Sequence, residues 1–294
     1  MSIPIKKLKT GLELPVLGLG TWAMGGRNEP DPNNDDLKDI GAIKSALNSG
    51  ITAIDTAEVY AAGQAEKFVG QAILGQDRKK LFISSKAQQT HLNYQDIKKA
   101  ALASLKRLGT DYLDLYYLHR YPGEEKIGEC MKALDELADE GLIKHLGISN
   151  FNLEHTKQAQ DLARHPIEAT QVHYSVRFRE PEKSGLLEYC QANDIFLVAW
   201  RPLGMGSLTR GKTDLDSEPL IQKLCGKYKK TPAQIAINWL VMQPNVVTLT
   251  KTSNQEHLKE NLGALDWAMA PEDVKKLQTD FSHQENISDT IPLA

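Results

Sequence analysis

Cysteine is scarce. The 294 residues hold three, Cys130, Cys190 and Cys225, which are far apart and odd in number, with no C-x-x-C spacing. A disulfide framework or a structural zinc site is therefore not expected. An excess of one charge is lacking too: 35 basic residues stand against 38 acidic ones, a net charge of −3. A protein that binds nucleic-acid backbone needs a basic surplus, so no nucleic-acid partner is expected. No apolar run reaches the roughly 18 residues of a membrane span, and the start, MSIPIKKLKTG, carries no apolar leader segment. Linkers, low-complexity tracts and an evident interface segment are also missing. The expectation is a cytoplasmic monomer of one domain, without a membrane partner, that acts on a small molecule.

What is present is alternation. Short apolar runs recur as PVLGLG (15–20), ITAID (51–55), LFISS (81–85), LDLYYL (113–118), KHLGIS (144–149), EATQV (168–172), IFLVAW (195–200) and NVVTLT (245–250). Such runs suit parallel strands buried on both faces. Helical patterns lie between them. Ile97, Ala101, Leu105 and Leu108 share one face of 94–108, with Gly109 as a stop, and a similar face spans 127–140 before Gly141. Thr231-Pro232 reads as a cap and first turn, and 219–228 adds a helix to the last crossover. Eight strand–helix units predict an α/β protein, a (β/α)8 TIM barrel, with an open doubly wound sheet as the alternative.

Gly18-x-Gly20-x-x-Ala23 fits a dinucleotide-binding turn. That fingerprint needs a helix to start among its glycines, whereas GGRNEPDP follows here. The glycines are better read as a close approach between strands.

In a barrel the C-terminal strand ends form the active face. Asp55 and then Tyr60 follow the second run, Lys86 the third and His119 the fourth. Ser149 and Asn150, Gln171, Trp200 and Lys251 end the remaining four. Singly, each has a plain explanation: a turn acceptor, a rim aromatic, a snorkelling lysine, a core histidine, a helix cap. Together they suggest carbonyl chemistry. A lysine beside a phenol pulls the Tyr60 pKa down toward neutrality, an aspartate keeps the lysine charged, and an imidazole donates to the same oxygen. That set protonates a developing alkoxide.

The arrangement Asp55, Tyr60, Lys86 and His119, with LGLGTW, DTA-x-x-Y, GISNF (147–151) and TKTSNQEHLKENLGA (250–264), resembles the aldo-keto reductase superfamily over essentially the whole chain. The resemblance implies an NADPH-dependent oxidoreductase that reduces aldehydes, and bulky ketones less well, with NADH as the alternative cofactor and no metal. It implies Tyr60 as the acid, tuned by Lys86 and Asp55 and assisted by His119. Ser149, Asn150 and Gln171 match positions that hold the nicotinamide carboxamide, and Trp200 the ring that stacks on it. Gly20, Thr21 and Trp22 join the cofactor set. Leu203, Gly204 and Ser207 match the pyrophosphate loop. Lys251, Thr252 and Ser253 match a 2′-phosphate cradle, and Asn261 an adenine contact. A hairpin within IKKLKTGLELP is expected to close the barrel bottom.

Three residues depart from the family's pattern. Trp200 replaces a tyrosine, and Arg201, in place of a serine, is expected to reach a phosphate or an acidic substrate. His257 stands where an arginine is usual, so the preference for NADPH is expected to weaken as pH rises through its titration. Trp22, Met24, Val59, Gln88, Arg120, Tyr121 and Arg177 are candidates to line the substrate pocket. Arg120 hints at a polar or anionic substrate. The short tail after Phe281 is expected to leave the site open. Two other functions fit the same residues: a lyase with a Schiff base on Lys86, and a cofactor-binding module without turnover.

Overall fold

Hairpin strands β1 (Ile5–Lys7) and β2 (Glu13–Pro15) pair antiparallel, with Lys6 opposite Leu14. A computed structural model describes residues 3–206 and 218–294. Eight parallel strands follow the hairpin: β3 (Leu17–Gly20), β4 (Ala53–Asp55), β5 (Phe82–Ala87), β6 (Leu113–Leu118), β7 (Ile143–Ser149), β8 (Ile167–His173), β9 (Phe196–Trp200) and β10 (Val246–Thr250). They close in sequence order, β10 pairing β3 through Leu249 opposite Gly18. Closure rules out the open sheet.

The crossovers carry α1 (Asp36–Asn48), α2 (Gln64–Ile73), α3 (Tyr94–Leu108), α4 (Ile127–Asp139), α5 (Leu153–Leu162), α6 (Glu180–Lys183), α7 (Leu186–Ala192), α8 (Pro219–Tyr228), α9 (Pro232–Val241), α10 (Gln255–Leu262) and α11 (Pro271–Thr279). Local chemistry sets their ends. The Asn93 side chain accepts from the Asp96 N–H at the start of α3, and Gly109 ends that helix at φ 64°, where a side chain would be strained. Thr231 and Gln234 form a capping box around Pro232 on α9.

Every residue of β6 is buried, as a strand covered on both faces requires. Outside the barrel, Ile97, Ala101, Leu105 and Leu108 of α3 enter the layer between helices and sheet. Inside it, Leu8, Leu12 and Leu14 of the hairpin pack with Leu115, Tyr117, Phe196 and Val247. The Lys6 ammonium donates to the carbonyls of Gln243 and Val246, and the Lys9 N–H to Asp194. These partners precede β9 or stand just before or at the start of β10, so the hairpin lies at the end away from Trp200 and Thr250. A Cβ on Gly18 would come within 2.8 Å of the Leu249 side chain and 3.3 Å of Ala53. That glycine serves close strand packing, and the next helix begins only at Asp36. No helix among the described residues is long and apolar enough to cross a membrane.

Candidate active site

Three neighbouring strand ends converge at the mouth. Asp55 is the last residue of β4, Lys86 is the penultimate residue of β5, and His119 follows β6. The Lys86 ammonium is fully buried and donates to Asp55 Oδ1 at 2.6 Å, to the Thr56 carbonyl at 2.8 Å and to the Tyr60 hydroxyl at 3.3 Å. The other Asp55 oxygen accepts from Ser84 at 2.8 Å and Gln171 at 2.9 Å. The His119 ring stands edge-on to Tyr60 with centroids 5.9 Å apart, and Trp22 flanks the phenol from another side at 5.2 Å.

A strained turn holds Tyr60. Ala61 and Ala62 both have positive φ, 48° and 49°, a conformation that alanine adopts at a cost. Their N–H groups donate to the carbonyls of Arg27 and Asn28. The polar excursion after β3 is thus the buttress that fixes where the phenol sits.

Burial pushes the Tyr60 pKa up. Lys86 pulls it down, but burial and the Asp55 charge prevail, so it lies above the usual phenol value. The expected fall toward neutrality is overturned, because a phenolate sealed under the mouth loses more hydration than one ammonium restores. The phenol is therefore a protonated donor at neutral pH. Burial disfavours the Lys86 charge, yet Asp55 and Tyr60 reverse that and raise its pKa. A Schiff base needs a neutral amine, which this environment suppresses. Burial, with Lys86 and Arg120 adding to it, holds His119 well below the ordinary imidazole value and hence neutral.

The remaining candidates ring this centre. Ser149 ends β7, and its hydroxyl donates to the Gln171 carbonyl on β8. Asn150 is left-handed at φ 63° and donates to the His119 carbonyl and to Ser149. Its Oδ1 accepts from the Trp200 indole N–H at 3.2 Å. Gly20 closes β3, and buried Thr21 donates to the Asp55 carbonyl. Leu203 and Gly204 follow β9 with Leu203 half-buried, whereas Ser207 lies outside the described residues. Exposed Lys251, half-buried Thr252 and exposed Ser253 lead to α10, which Asn254 caps, with exposed His257 in its first turn. Asn261 is buried on the same helix.

Several expected pocket residues are elsewhere. Met24 is sealed in the core. Tyr121 stacks on His155 at 3.6 Å, and the Gln88 side-chain amide lies 3.3 Å from the His91 ring. Val59, by contrast, packs against the Ala57–Tyr60–Ala65 cluster and stays beside the phenol.

The tail is the larger correction. It docks along the ends of β7, β8 and β9 instead of leaving them open. Arg177 pairs with Glu285, and Arg201 with Asp289 and Thr290. Ser288 bonds His173, and Ala294 exchanges backbone hydrogen bonds with Asn150 and Asn152. Arg201 is thus engaged by the tail rather than free for a phosphate. Polar side chains at intervals along 282–294 satisfy these partners, a pattern with no period to betray it. Sequence reasoning also missed His173, although it lies two residues past Gln171 on one strand, the spacing that places both on one face.

Comparison with known proteins gives the family. Residues 16–279 match the model of the aldo/keto reductase family. The glyoxal reductase of Bacillus subtilis (strain 168) is 34% identical over 273 residues, covering 92% of this chain and 90% of that protein. A thermostable aldo-keto reductase solved with the inhibitor epalrestat is 39% identical with a TM-score of 0.88, covering 94% of this chain and 99% of that one. The aldo/keto reductase of Klebsiella pneumoniae, solved with NADP and acetate, is 30% identical with a TM-score of 0.83, covering 99% and 100%. On the family match and these identities, the chain belongs to the aldo/keto reductase family.

Proposed function

We propose that this protein is an NADPH-dependent reductase of small aldehydes, with Tyr60 as the proton donor. The observation that carries the reading is the buried Lys86 ammonium, held between the Asp55 carboxylate and the Tyr60 hydroxyl.

The donor set suits the cofactor. A cation, two hydroxyls and a helix N-terminus at 251–255 form phosphate chemistry. Ser149, Asn150 and Gln171 bring amide and hydroxyl groups to the centre of the mouth, and the Trp200 indole is half-buried above them. When bound, NADPH supplies the hydride.

The chain's residues supply the rest. Tyr60 and His119 meet the carbonyl oxygen. Tyr60 gives up its proton as negative charge develops there. Lys86 lies against the departing proton's oxygen and stabilises the phenolate left behind, while Asp55 keeps Lys86 charged. His119, held neutral, donates a hydrogen bond without adding a second charge beside Lys86. Trp22, 42% exposed, walls the entrance and favours slim carbonyls over bulky ones. The Bacillus relative is named for glyoxal, and a 2-oxoaldehyde is the substrate class we infer.

A panel of 2-oxoaldehydes, simple aldehydes and ketones, followed by NADPH absorbance, tests the reading. Turnover highest on 2-oxoaldehydes is expected. No NADPH oxidation with any carbonyl overturns it. Borohydride trapping of substrate on Lys86 would establish the lyase instead.

A further inference from the structure

The buried imidazole of His173 plays no part in that mechanism. Its ring stacks on Trp200 with centroids 4.5 Å apart and planes 16° apart, and it lies 4.2 Å from Phe178 at 34°. Two rings whose centroids both lie within 4.5 Å of the imidazole cannot share one of its faces. His173 is therefore the middle layer of the stack Phe178–His173–Trp200.

Its hydrogen bonding fixes the ring further. The Ser288 hydroxyl oxygen accepts from the N–H groups of Thr290 and Ile291. Both lone pairs are then occupied, so the hydroxyl proton points to His173 Nδ1, 2.7 Å away. Nδ1 as acceptor puts the ring proton on Nε2, which is buried with no partner among the described residues. An unsatisfied donor of this kind costs stability, and the stack offsets it.

The same tail segment reaches Trp200 from two other sides. Arg201, its chain neighbour, pairs with Asp289. Asn150, which accepts from the indole N–H, receives the Ala294 N–H on its carbonyl. Trp200 is held from below, along the chain and at its edge by groups that the tail contacts.

We propose that His173 is a positioning residue that fixes the plane of the Trp200 indole from beneath and, through Ser288, makes that plane depend on the docked tail. Cofactor affinity is then set partly by residues that never touch the cofactor. This rests on the reading of Trp200 as the face that receives the nicotinamide.

The test compares the full-length protein with His173→Asn, His173→Phe and Ser288→Ala. Asparagine keeps an acceptor for Ser288 but removes the stack; phenylalanine keeps the stack but removes the tie. The affinity for NADPH, read by tryptophan fluorescence, should weaken roughly tenfold in His173→Asn. It should weaken about threefold in His173→Phe and in Ser288→Ala, the size of one modest hydrogen bond. The KM for NADPH should rise while kcat changes less. Wild-type affinity in His173→Asn overturns the proposal, as does a loss in His173→Phe equal to that in His173→Asn. If His173→Asn does not fold, unchanged affinity in Ser288→Ala overturns it. The Trp200 indole N–H resonance, assigned with Trp200→Phe, reports the ring without ligand. It should broaden in His173→Asn and stay sharp in His173→Phe; no change in either also overturns the proposal. A wild-type protein that binds no NADPH would refute the function, while this resonance would still decide the positioning.

Discussion

The Gln171 amide donates to the Asp55 carboxylate across 2.9 Å, joining a residue of the candidate carboxamide shelf to the anion that pairs with Lys86. One buried carboxylate thus organises three donors from three other positions: Lys86 and Ser84 on β5, and Gln171 on β8. The proton-donating group and the shelf cannot shift independently.

Asp55→Asn should therefore harm both fold and chemistry. It leaves a fully buried ammonium without its anion, a change that typically costs about 3–5 kcal/mol. Denaturant unfolding should show a midpoint lowered accordingly, and turnover should fall with it because Lys86 no longer stays charged beside the phenol. An unchanged midpoint would mean that the Asp55–Lys86 pair does not hold the mouth together.

Tyr60→Phe should leave stability and NADPH binding near wild type and cut the reduction step by at least about 10²-fold, the lower bound for a positioned general acid. The pH profile provides an independent check. A proton donor works while protonated, and the Tyr60 pKa is raised by burial. The single-turnover reduction rate should therefore stay level through neutral pH and decline only in strongly alkaline solution. A decline beginning near neutrality would assign the proton to another group.

Much of this was legible before any coordinates. The eight apolar runs marked the strands to within about two residues, because a strand buried on both faces has no polar position to blur its ends. Asp55, Lys86 and His119 were visible as polar groups ending such runs. Tyr60 was less so. Its position depends on Ala61 and Ala62 bonding to the carbonyls of Arg27 and Asn28, and backbone carbonyls leave no trace in side-chain identity. The sign of the Tyr60 shift was misjudged for a related reason: residue types reveal which charges meet, but not how thoroughly water is excluded. The docked tail escaped notice because these partners lie more than 80 residues away, at or just past the ends of β7, β8 and β9.

The two neutral histidines at the mouth should make the fold acid-sensitive. Burial, with help from Arg201, lowers the His173 pKa to about 4, and His119 lies well below its usual value too. Below pH about 6.5 the unfolded chain binds protons that the native state refuses. Stability is therefore fully present above that pH and falls as pH drops toward 4, by about 3 kcal/mol from His173 alone. Chemical unfolding at pH 7 and pH 4.5, compared with His173→Phe, measures this contribution. The variant should lose distinctly less stability on acidification; equal losses would show that His173 titrates normally.

Arg120 sets the last expectation. It follows His119 at the end of β6, is half-buried, and lies close enough to help keep that imidazole neutral. As a candidate pocket residue, it is expected to offer its charge to a substrate anion placed beside the reacting carbonyl. A charge-assisted hydrogen bond contributes about 1.5–3 kcal/mol, or roughly 10- to 100-fold in kcat/KM. Arg120→Gln should lower kcat/KM by that factor for an aldehyde bearing a carboxylate, such as glyoxylate, and leave glyoxal within about threefold of wild type. Because the lost contact holds the substrate rather than the transition state, the change should appear in KM more than in kcat. Equal losses on both substrates would instead show that Arg120 acts through His119, since only that route ignores the charge of the substrate.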